Sequence, residues 1–161
     1  MPGMTRLPTL GPRGEGWFAI QLILGVAIAG AALAGPAWTG DLRALSSVAG
    51  LLIMAAGGIL LLRGVVDLRE NLTALPHPRD GARLIETGAY RLVRHPIYGG
   101  LIVGSAGWGL VFASPLALGL DVVLFGFLDL KSRREEAWLA ERFPGYQAYR
   151  SRTRRLIPWL Y

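Results

Sequence analysis

The chain has 161 residues, of which 52% are hydrophobic and only 17% charged, with 22 glycines and a mean hydropathy of +0.40. A soluble domain of this size is usually about one-quarter charged, so the deficit points to a membrane protein. The net charge of +6 does not argue for nucleic acid, because long apolar blocks leave no face for a phosphate backbone; without cysteine there is no disulfide or thiolate site, and His77 and His95 alone leave no metal set at usable spacing.

Residues 1–16 are rich in Pro and Gly and read as a short flexible arm. Residues 17–38 follow as an almost uncharged run, flanked by Trp17 and Trp38 in the manner of an anchored span. At 1.5 Å per residue this run is long enough to cross a hydrocarbon core of about 30 Å. A signal peptide is the competing reading, since Ala32-Leu33-Ala34 imitates a cleavage site, but the apolar run exceeds a usual signal core. Residues 44–62 form a second uncharged run ending at Arg63, and its Gly50, Gly57 and Gly58 permit close helix approach in lipid.

Residues 63–97 turn polar and read as a connector on the membrane surface. Val65 to Leu72 can prolong the second helix, Pro76-His77-Pro78 ends any helix, and Asp80-Gly81 and Thr87-Gly88 mark turns. Residues 98–113 and 115–130 are two further apolar runs joined at Ser114-Pro115. Each is roughly 24 Å long as a helix, so they are predicted as a tight hairpin. Residues 131–142 keep good helix formers without Gly or Pro, so the fourth helix is expected to continue until Phe143-Pro144-Gly145, and residues 131–161 form a C-terminal helix and amphipathic tail.

The expected fold is therefore an all-α membrane protein, one domain over residues 1–161 with four transmembrane helices. Of the 17 Lys and Arg residues, all but Arg43 fall on one side of this topology. The positive-inside rule then places both termini and the connector in the cytoplasm. A hairpin returns its two ends to one face, so His95 and Tyr98 at its start should meet Glu135 and Glu136 at its finish.

The stretch between Gly88 and Gly100 concentrates the chemistry. Pro96 suits the first position of a helix, which sets His95 beside the N-cap with Arg94 next to it, an arrangement favourable to an anionic group. Taken alone, the segment also reads as an interfacial belt of Tyr and Arg.

Arg94-His95-Pro96-Ile97-Tyr98-Gly99-Gly100, followed by Arg134-Glu135-Glu136-Ala137-Trp138-Leu139, Phe143, Tyr146, Tyr149 and Ile157-Pro158, resembles the isoprenylcysteine carboxyl methyltransferase and phospholipid methyltransferase superfamily. The resemblance runs from Leu75 to Trp159 and does not fix the substrate. It implies an integral membrane enzyme that uses S-adenosylmethionine, bound here by His95, Pro96, Tyr98, Glu135 and Glu136, with Tyr90 and Arg94 nearby. The Phe143-Pro144-Gly145-Tyr146 sequence is one residue tighter than the family's usual spacing, which leaves the roles of Tyr146 and Tyr149 open.

On this reading the partners are membrane lipids and an amphipathic acceptor. An isoprenylcysteine-type carboxylate needs a cationic clamp, which Arg91, Arg94 or a tail arginine supplies, whereas a phospholipid amine needs a proton acceptor. Arg134 is a candidate charge partner of the Glu135-Glu136 pair or of a lipid phosphate. Tyr146 and Tyr149, with the arginines after them, read as an interfacial anchor that also serves as a lid. Asp121 is expected to meet Gln21 or water inside the bundle, or to line the lateral path of the substrate, and Asp129 to support the pocket from behind. Two other functions compete: an NADPH-dependent membrane lipid reductase with a related C-terminal half, and a four-helix transporter with Asp121 as its proton-coupled carboxylate. Oligomeric state has no signal in the sequence.

Overall fold

A computed structural model describes residue 8 and residues 10–73 and 81–161. Residues 1–7 and 9 of the predicted arm, and the predicted stop at Pro76-His77-Pro78, lie outside the described residues. Among the described residues five α-helices form: α1 (Glu15–Ala34), α2 (Asp41–Leu68), α3 (Pro96–Val111), α4 (Pro115–Arg142) and α5 (Tyr146–Arg152). Short 3-10 turns cover Arg69–Asn71 and Gly88–Arg91. Among the described residues there is no β-strand, only an isolated parallel bridge between Val93 and Arg154.

The helix boundaries follow local chemistry. Pro96 and Pro115 open α3 and α4, where a missing N–H costs nothing. Ser114 caps α4 by accepting from the Ala117 N–H at 3.2 Å. The predicted second span, 44–62, is exceeded at both ends, because Arg63 is a good helix former and does not break α2; the chain leaves the helix at Arg69, which takes a left-handed φ of 50°.

Two of the helices, α1 and α2, are long and apolar enough to cross a membrane, whereas α3 is apolar but shorter. A core helix of a soluble protein would be mostly buried, yet only 17% of the most apolar stretch of α1 and 11% of that of α2 is covered. Ile23, Val26, Leu52, Ile59 and Val122 all point outward. An exposed apolar surface of this extent suits lipid rather than water.

One end of the bundle is tied by polar contacts between helix termini. Ser114 Oγ donates to the Ala31 carbonyl at 3.1 Å, Ser47 Oγ to that of Val111 at 2.9 Å, and the Trp38 N–H to that of Ala113 at 3.0 Å. At the other end Gly64 abuts Pro96, and Gln21 meets Lys131. The most extensive packing is between α2 and α3, where backbones touch: a Cβ on Gly57 would fall on the backbone of Gly104. Small residues permit that approach, which gains dispersion contacts and Cα–H···O geometry. The apolar core lies between α1, α3 and α4, around Ile28, Ile102, Leu124 and Leu128, and is closed by Leu156 from the C-terminal segment.

Candidate functional site

A cavity of about 580 Å³ opens where α1, α2, α3 and α4 converge, within the range of about 300–1,000 Å³ usual for small-molecule and cofactor sites. Helix α4 gives it one continuous stripe, Lys131, Glu135 and Leu139, extended by the helix-capping Phe143. These are spaced four residues apart and therefore share a face, about 18 Å long at 1.5 Å per residue. Opposite them stand Tyr90, Arg94, His95 and Tyr98. Gln21 of α1 meets Lys131, Phe18 of α1 and Val65 and Leu68 of α2 also line the cavity, and Asn71 and Arg83 lie on the segment that follows α2.

The two motifs meet at the centre of this wall. Tyr98 Oη donates to Glu135 Oε1, and His95 Nδ1 lies 3.3 Å from Glu135 Oε2. The His95 and Tyr98 rings stack with centroids 5.5 Å apart and planes 2° from parallel. On its other edge His95 Nε2 is 3.4 Å from Glu136 Oε1, so the imidazole sits between two carboxylates. Burial by itself would lower the His95 pKa, but the two carboxylates outweigh it and raise it above 6.5.

Behind the wall, Glu136 is an almost fully buried carboxylate. Arg94 Nε donates to its Oε1 at 2.7 Å, with side chains 7% and 4% exposed respectively. Arg155 Nε and Arg150 Nε stand 3.5 and 3.6 Å from its oxygens. Burial pushes the Glu136 pKa up, yet His95 and Arg94 together bring it down to about 2. The Arg94 guanidinium also donates to the carbonyls of Arg150, at 3.2 Å, and Thr153.

The C-terminal segment is threaded into the site. The N–H groups of Arg94 and His95 donate to the carbonyls of Arg154 and Arg155 at 2.8 and 3.0 Å. The Leu156 carbonyl lies against Gly99, where any side chain would collide with it. Tyr146 and Tyr149 form the buried face of α5, and Tyr149 Oη donates to the Tyr90 carbonyl at 2.7 Å. The expectation that these tyrosines form a surface anchor is thus corrected: their rings pack inward, edge to face at 5.9 Å, because Tyr90 and the Arg94 region offer them a covered face.

Of the residues singled out in the sequence, Tyr90, Arg94, His95, Tyr98 and Glu135 line the cavity. Pro96 and Glu136 are buried behind it, and Arg91 is exposed and outside the lining. Arg134 does not pair with the glutamates; its guanidinium lies 4.3 Å above the Trp138 ring. Asp121 meets Ser105 of α3, whose Oγ donates to it, rather than Gln21, and it does not line the cavity. Asp129 is held by Arg133 and Arg155, each at 2.7 Å, and by Tyr161 Oη at 3.1 Å, an anchor for the C-terminal segment.

The sequence reading passed over Lys131. Its Nζ donates to Gln21 Oε1 at 2.6 Å and stands 4.8 Å from the centroid of the Tyr98 ring. The four-residue interval to Glu135 was the available signal, because it places both on one helix face.

Comparison with known proteins adds a family. The phospholipid methyltransferase family matches residues 45–145. A probable protein-S-isoprenylcysteine O-methyltransferase of Oryza sativa subsp. indica is 28% identical over 118 residues, which is 71% of this chain and 62% of that protein. Protein-S-isoprenylcysteine O-methyltransferase B of Arabidopsis thaliana is 27% identical over 115 residues, 69% of this chain and 58% of that protein. The chain therefore spans less than two thirds of the length of these curated relatives. With a family match that covers more than half of its residues, the chain belongs to the phospholipid methyltransferase family.

Proposed function

We propose that this chain is an integral membrane methyltransferase that uses S-adenosylmethionine and methylates an amphipathic, lipid-like acceptor, either an isoprenylcysteine-type carboxylate or a phospholipid amine. The observation that carries the reading is the meeting of Arg94, His95 and Tyr98 with Glu135 and Glu136, across 40 residues of sequence, at one cavity. Family membership and the names of the relatives support the chemistry.

The donor set fits the cofactor. Glu135, with its side chain 15% exposed, is a carboxylate suited to an ammonium group or to ribose hydroxyls. Arg83 at the rim suits a carboxylate. When bound, S-adenosylmethionine supplies an electrophilic methyl group on a cationic sulfur. The protein's part is to orient and to exclude water. Tyr98 and His95 fix the Glu135 carboxylate in one rotamer, and Arg94 acts as a positioning residue that locks Glu136 and the C-terminal segment behind the wall. The Nε and Nη1 donors of Arg94 serve this wall, and Arg91 lies on the outer surface, away from the cavity.

In the same reading α3 and the first half of α4 join α1 and α2 as membrane spans, the last two forming a hairpin, with both termini in the cytoplasm. The one-sided distribution of Lys and Arg and the outward apolar side chains support this topology. The test is calorimetry in detergent with S-adenosylhomocysteine, for which micromolar binding corresponds to about −8 kcal/mol. Glu135→Ala should weaken binding about tenfold or more while helicity persists, as expected for a lost charge-assisted hydrogen bond. Tritium from methyl-labelled S-adenosylmethionine should appear in extracted lipid or lipidated acceptor. A parent chain that fails to bind, or a Glu135→Ala variant that binds equally well, overturns the assignment.

A further inference from the structure

The methyltransferase reading leaves open what selects the acceptor, and the cavity contains a group that answers this. We propose that Lys131 is the specificity-determining residue, holding a carboxylate of the acceptor at the α1 end of the cavity, and that the reaction is therefore O-methylation of an anion. The inference rests on the methyltransferase reading for the identity of the reaction, and on the geometry of Lys131 for the rest.

Lys131 is only 1% exposed, so its ammonium has given up nearly all of its hydration. Among the described residues its single hydrogen-bond acceptor is the neutral amide oxygen of Gln21, although an ammonium has three donors. Glu135, one turn along the same face, acts on Lys131 through space but makes no salt bridge with it, its oxygens being turned to Tyr98 and His95. A buried cation met directly by one neutral oxygen, with only the Tyr98 ring and the charge of Glu135 farther off, is costly until an anion completes its shell. Of the cations considered first for this task, Arg94 turns its Nε and Nη1 donors to Glu136 and two carbonyls and Arg91 faces outward, whereas the Lys131 ammonium stands in the cavity with donors to spare.

The order of groups along the cavity gives the anion its place. Glu135 and Tyr98 stand midway, where the cofactor's cationic portion is proposed to lie. One helical turn on, towards the apolar part of α4, stands Lys131, and Phe18, Val65 and Ile97 give the same cavity apolar lining. An acceptor with an apolar chain along those side chains and an anionic head at Lys131 presents its oxygen next to Tyr98, since the ammonium is 4.8 Å from that ring.

The chemistry agrees with the charge. Methylation of a carboxylate forms one O–C bond as one C–S bond breaks, the bonding pair returns to sulfur, and no proton moves. Such an acceptor needs a cation nearby and no base. An amine acceptor would first have to release a proton, and its ammonium form would be repelled by Lys131.

The experiment compares binding of N-acetyl-S-farnesylcysteine with that of its carboxamide in detergent, for the parent chain, Lys131→Met and Lys131→Arg. S-adenosylhomocysteine, whose sulfur carries no charge, serves as the probe of fold and cofactor site. The parent should favour the carboxylate by about tenfold or more, the value of one charge-assisted hydrogen bond. Lys131→Met should abolish that preference while S-adenosylhomocysteine still binds, and Lys131→Arg should restore it. A Met variant that keeps the preference, or a parent that shows none, overturns the proposal. So does a parent that methylates phosphatidylethanolamine in nanodiscs and not the cysteine derivative. A parent that prefers the carboxylate but does not bind S-adenosylhomocysteine would instead uphold Lys131 as an anion site and overturn the methyltransferase reading.

Discussion

Replacing Arg94 by Met tests how the wall of the cavity is held. The substitution keeps a long side chain of similar reach but removes a guanidinium that lies 2.7 Å from a carboxylate, both side chains being under one-tenth exposed. Breaking a buried pair from one side leaves an uncompensated charge and costs about 3–5 kcal/mol. His95, Arg150 and Arg155 stay 3.4 to 3.6 Å from Glu136 and soften the loss. Against this, the carbonyls of Arg150 and Thr153 lose a donor, at about 1 kcal/mol each. The expected cost is therefore about 3–5 kcal/mol, read as the change in unfolding free energy of the detergent-solubilised chain. The double variant Arg94→Met/Glu136→Leu removes both charges and should recover about 2 kcal/mol or more of it. A single variant costing less than about 1 kcal/mol, or a double variant no more stable than the single, would refute the claim that this pair is desolvated and holds the C-terminal segment.

Three further outcomes are expected. The raised pKa of His95 means that its contribution to stability is complete below 6.5 and is lost as pH rises through the higher folded-state value; Glu136, lowered from 4.5 to about 2, contributes fully above 4.5 and loses that contribution as pH falls towards 2. Unfolding measured against pH should thus show a maximum between these limits, and His95→Gln should remove the alkaline decline and shrink the acid one, because His95 helps to hold the Glu136 pKa down. Gly57→Leu places a side chain on the Gly104 backbone and should cost about 1–3 kcal/mol or more in thermal unfolding. Ser105→Ala takes the hydroxyl donor from Asp121 and should cost about 1–3 kcal/mol, with unchanged S-adenosylhomocysteine binding, because Asp121 does not line the cavity.

The parts of the site that were legible in the sequence depend on local rules. Proline after His95 fixes where α3 begins, and the absence of Gly or Pro from 131 to 142 carries α4 far enough to bring Glu135 level with Tyr98. What escaped the sequence depends on how helices are rotated against each other. Gln21 was expected at Asp121, yet α1 meets α4 nearly three turns further on, at Lys131, and Asp121 turns to Ser105 instead. Arg134 and Arg94 are both arginines beside glutamates in the pattern, and only packing decides that Arg94 reaches Glu136 while Arg134 lies over Trp138. The C-terminal segment was the largest surprise. Its basic, aromatic composition resembles an interfacial tail, but composition cannot show that Gly99 leaves room for the Leu156 carbonyl, the contact that draws residues 153–157 inward.

The close seam between α2 and α3 divides the molecule into two workshops of unequal rigidity. Its backbone-to-backbone fit tolerates almost no change, since even a methyl group on Gly57 or Gly100 has nowhere to go. Helix α1 instead joins its neighbours through side chains, such as Trp17 on Phe127 and Gln21 on Lys131. Phe18 on that helix can therefore be redrawn to suit a longer, shorter or more branched tail, leaving the glycine-fused half as an unchanging chassis.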